Sequence, residues 1–191
     1  MSTGLLIVLC GPSGVGKSTL SRLMAERLGV VYTTSVTTRP KKPGDEKGKT
    51  YEHVDKDEFY RRLDADEFLE YARVYGEYYA TPKHPALDQL AAGDDVLLEI
   101  DVQGGLQVRH HYPQAVTIFI LPPDESVLLQ RLTDRARDTA DEVAHRFRAA
   151  RREIHMAKGS RAFDYMVIND TLDEALADIE QILRHKRSAV D

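Results

Sequence analysis

Residues 5–10, Leu-Leu-Ile-Val-Leu-Cys, form an unbroken apolar run that stops at Gly-Pro-Ser-Gly. A short run of this kind predicts a strand buried on both faces and entering a loop. Between 18 and 28 the apolar residues fall at Leu20, Leu23, Met24 and Leu28, a helical spacing, and Gly29 suits the position just past a helix end. A second short strand is expected over 30–35. The chain from 39 to 50 is rich in Lys, Pro and Gly and predicts a polar loop. Beyond it the pattern predicts a strand over 51–54 and a short helix over 56–64, with Asp55 as N-cap and Glu58 three residues on. Alternation over 68–74 and 78–81 predicts two strands about a turn at Gly76-Glu77. A helix over 85–92 closes at Gly93. A buried strand over 96–102 follows, unusual in ending on two acids, Glu99 and Asp101. The remaining expectations are a helix over 105–111, a strand over 116–121 stopped by Pro122-Pro123, and a helix over 124–133. A polar stretch over 134–140, a long helix over 141–157 and a strand over 165–168 come next. The last helix, 171–185, has Thr171 and Glu174 as a capping box.

The outer parts therefore alternate strand and helix, which predicts an α/β fold with a parallel sheet covered by helices on both faces. The middle, about 39–81, does not alternate and is expected to be a small, mostly β insertion. A length of 191 residues allows about one domain of roughly 150 residues with such insertions. Hydrophobic residues make up 42% and charged residues 30%, as in globular domains rather than disordered or fibrous chains. No apolar run reaches membrane-spanning length and no signal-peptide pattern precedes 5–10, so no membrane partner is expected. The one cysteine, Cys10, excludes an intrachain disulfide and a CxxC metal site; it predicts a small buried side chain and a cytoplasmic compartment. A net charge of −5 argues against a general nucleic-acid binder.

The sharpest local signal is Gly11, Pro12, Ser13, Gly14, Val15, Gly16, Lys17 and Ser18, which fits G-x-x-x-x-G-K-[ST] between a predicted strand and a predicted helix. Glycines let successive N–H groups point at one anion, and the helix N-terminus adds partial positive charge. Lys17 supplies a cation for β- and γ-phosphates, and Ser18 a hydroxyl ligand for Mg²⁺. The bland alternative is a chance match in a Gly-rich turn, which the strand–loop–helix context disfavours. The motif alone does not name the acceptor. The chain lacks an Asn-Lys-x-Asp guanine-reading run and is short for a motor, which leaves a kinase of a small acceptor.

On the acceptor side, Ser35-Val-Thr-Thr-Arg39-Pro-Lys-Lys42-Pro-Gly44 and Tyr51 bring hydroxyls and cations together, and Glu70, Tyr78, Tyr79 and Thr81 follow. Phosphate takes Arg, Lys and Tyr donors; a purine edge takes a carboxylate and a hydroxyl. Singly, each residue suits a solvated loop or an ordinary core tyrosine; the combination points to a phosphate and a base. These segments resemble the guanylate kinase family from about residue 5 to about 183. The resemblance is carried by 11–18, Ser35-Val-Thr-Thr-Arg39, Pro43-Gly44, Glu67-Phe-Leu-Glu70, Gly76-Glu-Tyr-Tyr79, Leu98-Glu-Ile-Asp-Val-Gln-Gly104, Phe119-Ile-Leu-Pro-Pro123 and Val167-Ile-Asn-Asp170.

The resemblance implies a P-loop three-layer core, an acceptor-binding insertion, a mobile lid, and transfer of the ATP γ-phosphoryl group to GMP. It implies that Arg39, Lys42, Tyr51 and Tyr79 hold the GMP phosphate, and that Ser35, Glu70, Thr81 and Asp101 read guanine. Asn169 lies where the family contacts adenine, and Glu99 or Asp101 is expected to help hold Mg²⁺ through water. Arg131, Arg135 and Arg146 match the lid arginines that neutralise the moving phosphoryl group, while Arg148, Arg151 and Arg152 are expected on a solvated face. The implied boundaries are a domain over 4–184 (core 4–34, 82–130 and 150–184; insertion about 35–81; lid about 131–149) and a tail over 185–191. The chain departs from the family at Lys42, where Arg is usual, at Ala80 after the paired tyrosines, and at Asp134-Arg135-Ala136 in place of Gly-Arg-Gly. Lysine keeps the charge but loses the bidentate fork. Two other readings compete: a related kinase of a phosphorylated sugar such as ribose 1,5-bisphosphate, and a non-catalytic binding module. The guanine-suited acids disfavour the first; the intact Lys17 and Ser18 disfavour the second.

Overall fold

The computed structural model describes residues 3–41, 45, 51–74, 76–134 and 139–188. The apolar run at the start becomes β1 (Leu6–Cys10), buried at every position. It is the middle strand of a five-stranded sheet that also contains β2 (Val31–Tyr32), β7 (Val96–Glu99), β8 (Val116–Leu121) and β9 (Tyr165–Ile168) in the order β2-β7-β1-β8-β9. Every pairing in it is parallel, as expected. Alternation along β1 sends its side chains to two cores. Ile7 and Leu9 pack with Leu20 and Met24 of α1 (Lys17–Leu28) and Ala175, Leu176, Ile179 and Leu183 of α7 (Leu172–Ser188). Leu6, Val8 and Cys10 pack on the opposite face, with Ala86 of α3 (Lys83–Ala92), Val102 and Val108 of α4 (Val102–His111), and Ala157 near the end of α6 (Ala140–Ser160).

The middle of the chain builds a second sheet in the order β4-β3-β6-β5, from β3 (Ser35–Thr37), β4 (Tyr51–His53), β5 (Phe68–Val74) and β6 (Glu77–Pro82). Helix α2 (Lys56–Asp64) is capped by Asp55, whose carboxylate accepts from the Glu58 N–H, as its sequence predicts. It seals one face through Phe59, whose ring lies 5.0 Å from that of Phe68 and 5.2 Å from that of Tyr78. Helix α5 (Glu125–Thr133) pairs with α6 through Leu128, Leu132 and Ala150.

Besides the earlier starts of α3 and α4 and the longer α6, three elements differ from the sequence pattern, each for a local reason. The single strand expected over 30–35 is two strands in different sheets. The chain leaves the edge of the main sheet at Thr33, whose N–H and hydroxyl both donate to the Leu97 carbonyl, and enters the small sheet at Ser35. The strand expected over 96–102 stops at Glu99, because Asp101 is the N-cap of α4 and accepts from the Gly104 N–H at 2.9 Å. That role accounts for the second acid. The last helix runs beyond 185 to Ser188, and Arg187 forms an ion pair with the buried Asp95. The polar stretch expected over 134–140 falls mostly outside the described residues.

Candidate functional site

The carboxyl ends of β1 and β7 open into a cavity of about 870 Å³ that reaches across to the small sheet. Crevices at this end of a parallel sheet are where such folds bind ligands. One wall is the loop over 11–18. Gly11, Gly14 and Gly16 all have positive φ. At Gly16 the requirement is absolute: φ is +99° and a Cβ there would lie 2.5 Å from the Asn169 amide nitrogen. The Lys17 ammonium donates to the carbonyls of Gly11 (2.6 Å) and Pro12 (3.1 Å), so it lies folded along the loop it serves. Ser18 Oγ donates to Glu99 Oε1 at 2.7 Å, and the Tyr32 hydroxyl donates to Glu99 Oε2 at 2.8 Å. The side chains of Pro12 and Val15 are buried; these residues serve the loop through their backbone.

The facing wall comes from the small sheet. Ser35 pairs with Tyr51, Ala72 with Tyr79, and Glu70 with Thr81. Ser35, Arg39, Tyr51, Glu70 and Tyr79 all line the cavity. A β-bulge sits between Phe68 and Glu70. The extra residue lets Phe68 turn into the α2 core and Leu69 into the main core while Glu70 still faces the cavity, so all three are buried. Thr81 Oγ1 donates to Glu70 Oε1 at 2.7 Å. Burial pushes the Glu70 carboxyl up to about 7; Asp101 adds to the rise and the Thr81 hydrogen bond opposes it. Burial also raises Asp101, against the pull of the Gly104 N–H and the Lys17 charge. Arg39 lies 5.3 Å from the Tyr51 ring centre and pairs with Asp45 at 3.0 Å. Burial, with Glu99 and Tyr79 nearby, pushes the Tyr51 phenol up to about 12, the Arg39 charge pulling the other way.

Helix α4 approaches this wall so closely that a Cβ built on Gly104 would overlap Glu70 Oε2. Gly104→Ala is therefore expected to push the carboxylate off its Thr81 partner. The expected result is a loss of about tenfold or more in affinity for the acceptor base, comparable to the ~1.5–3 kcal/mol of a hydrogen bond to a charged group. Nucleotide binding on the loop over 11–18 stays unchanged, and titration calorimetry with each ligand alone separates the two. Equal losses at both sites would mean that the helix, not the carboxylate, had moved.

Arg146 reaches the cavity from α6. Arg148, Arg151 and Arg152 are exposed, as expected for a solvated face, with Arg151 paired to Glu125 at 3.0 Å. Lys42 and Arg135 lie outside the described residues. Besides Pro12 and Val15, three expected site residues stand off the cavity wall: Arg131, Asn169 and the buried Thr81. Arg131 donates to the carbonyls of Asn169 (2.9 Å) and Asp170 (3.1 Å). Asn169 is buried, its amide nitrogen donating to the Val15 carbonyl at 2.8 Å, so its side chain braces the loop from behind rather than standing in the open cavity.

Sequence reasoning passed over the cavity-lining Asp141, Glu142, His145 and Glu153, and over Tyr32, which stands off the cavity and touches Glu99. Glu153 lines the cavity. It falls seven residues after Arg146, two helical turns along the same face, which is the one signal the sequence offered. Burial pushes its carboxyl up to about 7, Asp101 adding to the rise and Lys17 opposing it. Tyr32 carries no motif and is brought in by strand pairing alone.

A cation fits beside Ser18. A serine hydroxyl already bonded to a carboxylate, next to a phosphate-binding loop, offers hard oxygen donors of the kind Mg²⁺ takes together with substrate phosphates. Among the described residues no cluster of three His, Cys, Asp or Glu could hold a metal unaided. No helix among them is long and apolar enough to cross a membrane.

The family model for guanylate kinase matches residues 3–186. A guanylate kinase of Thermus thermophilus is 45% identical over 184 residues, covering 96% of this chain and 82% of that one. A guanylate kinase of Clostridium tetani is 39% identical over 191 residues, covering 100% of this chain and 90% of that one. The crystal structure of guanylate kinase from Anaplasma phagocytophilum superposes with a TM-score of 0.77 at 32% identity, over 97% of this chain and 87% of that one. With the loop over 11–18 and the buried Glu70–Thr81 pair facing each other across one cavity, these likenesses agree with the site's own chemistry, and the chain belongs to the guanylate kinase family.

Proposed function

We propose that this protein transfers the γ-phosphoryl group of ATP to GMP, giving ADP and GDP, with each step assigned to the residues above. The observation that carries the reading is the opposition, across one cavity, of an anion-binding loop and a buried carboxylate–hydroxyl pair. The loop N–H groups and Lys17 take the β- and γ-phosphates of ATP. Ser18 and Glu99 hold Mg²⁺, which when bound neutralises phosphate charge and orients the phosphate oxygens. Arg39, Lys42, Tyr51 and Tyr79 hold the GMP phosphate. Glu70 accepts from guanine N1–H and the 2-amino group, with Ser35, Thr81 and Asp101 completing the base site.

An oxygen of the GMP phosphate attacks the γ-phosphorus in line, and the bond to the ADP β-phosphate oxygen breaks. The attacking phosphate is already anionic near neutral pH, so no side chain must remove a proton. Arg146, with Arg131 and Arg135 of the lid segment 131–149, neutralises charge on the moving group as the lid closes and excludes water. Arg131 must leave the carbonyls it now holds to do so. Core, insertion and lid divide as 4–34, 82–130 and 150–184; 35–81; and 131–149.

The test is ADP release from Mg·ATP with GMP, dGMP, AMP and ribose 1,5-bisphosphate offered separately. Fast release with GMP and little with AMP or the sugar is the expected result. Release only with the sugar, or none with any acceptor, overturns the assignment.

A further inference from the structure

We propose that Tyr32 is a positioning residue of the cation site: its phenol clamps the Glu99 carboxylate in the orientation that meets Ser18, and so sets the affinity for the divalent ion carried by the nucleotide. The proposal rests on the reading that Ser18 and Glu99 hold Mg²⁺.

The geometry starts from strand pairing. Tyr32 lies opposite Leu97 in the parallel pair of β2 and β7, and Glu99 is two residues further along β7 on the same face as Leu97. A long aromatic side chain bridges such a diagonal. Thr33, the next residue, is itself anchored twice to the Leu97 carbonyl, which fixes the height of Tyr32 along β7. The result is a carboxylate held at both ends. Oε1 accepts from Ser18 at 2.7 Å and Oε2 accepts from Tyr32 at 2.8 Å. With each oxygen receiving one donor, the carboxylate loses both its swing and its in-plane flip, while further lone pairs stay open to accept from water on a cation. Tyr32 does not line the cavity; it acts on the cation site through Glu99. Partners of this kind behind metal-holding groups orient them and tune the ion.

Tyr32→Phe keeps the ring and removes the clamp. The probe is Mn²⁺ with ADP, followed by electron paramagnetic resonance in the absence of turnover, beside a Mg²⁺ titration of the reaction at saturating nucleotides. The expected result is Mn²⁺·ADP binding weakened about tenfold, a matching rise in half-activating Mg²⁺, and kcat at saturating Mg²⁺ within about twofold of the parent. ADP binding in EDTA stays unchanged. In a Glu99→Gln background, Tyr32→Phe adds nothing further, because the two residues act as one unit. Unchanged Mn²⁺·ADP affinity in Tyr32→Phe, when the parent binds ADP more tightly with metal, overturns the Tyr32 role and leaves the cation reading standing. An equal loss in EDTA, or full additivity with Glu99→Gln, also overturns it, since the phenol would then only support the fold. A parent whose ADP affinity ignores the metal overturns the cation reading and this proposal together.

Discussion

Lys17→Ala is expected to lower kcat by roughly 10³-fold or more, the scale on which removal of a preorganised charge donor acts in phosphoryl and acyl transfer. The reason lies in how the ammonium is held. It bridges the Gly11 and Pro12 carbonyls at 2.6 and 3.1 Å, so it waits at the mouth of the loop and needs only a small movement to reach a phosphate. No other described lysine lines the cavity. Its removal takes away a donor that strengthens as charge builds on the transferring group, so the loss appears in kcat as well as in KM. The loop itself survives, because its shape comes from Gly11, Gly14 and Gly16 and from the Asn169 brace. Steady-state kinetics beside a melting curve make the measurement. Near-parent turnover in a folded variant would show that the loop is not the phosphate site.

Glu70→Gln is expected to erase most of the preference for GMP over AMP, a fall of about 100-fold or more in the ratio of kcat/KM values. A site built to accept hydrogen bonds from a substrate rejects an analogue that lacks the donors, because its own polar group is then buried unpaired. Guanine presents N1–H and a 2-amino group to the carboxylate; adenine presents neither. The amide keeps the volume and the Thr81 contact but turns one acceptor into a donor. An unchanged ratio would place the base reader elsewhere.

The same residue carries a pH signature of opposite sign in binding and in stability. Its carboxyl titrates at about 7 in the empty protein, yet it must be ionised to accept from guanine. GMP affinity is therefore expected to fall about tenfold from pH 8 to pH 6, and Glu70→Gln removes that part of the slope. Stability runs the other way. A carboxyl raised from 4.5 to about 7 on folding stabilises the fold fully below about 4.5, and that contribution is lost as pH rises through about 7. Denaturant unfolding of the empty protein should lose on the order of 3 kcal/mol across this window from Glu70. Glu153 titrates in the same direction, so the Glu70 part is read as the difference between parent and Glu70→Gln. A variant with the parent's slope would show that the buried carboxyl is not the titrating group.

Much of this molecule is written locally. The loop over 11–18 is one contiguous stretch whose shape follows from its glycines and the strand and helix that flank it, so sequence alone located the loop proposed to bind phosphate. The unbroken apolar run over 5–10 and the caps at Asp55 and Thr171 act over a few neighbouring residues, and the elements they imply are present. The role of Asp101 was half legible. Two acids at a strand end announced a site, but the helix cap that makes use of the second one depends on where the chain turns.

Contacts between distant segments were beyond local pattern. Glu70 and Thr81 meet because β5 and β6 pair in one register, and the bulge after Phe68 keeps the carboxylate on the cavity face. Strict alternation would have put Phe68 and Glu70 on the same side. The Ser18–Glu99–Tyr32 chain joins three elements through the pairing of β2 with β7, and the split of 30–35 between two sheets is what frees Tyr32 to reach it. A shift of one residue in either register reverses every side chain while leaving composition and periodicity almost unchanged. Sequence thus determined which chemical groups this protein carries and the shape of the loop proposed to bind phosphate. Tertiary packing decided which acids stand together, how deeply each is buried, and hence at what pH each is charged.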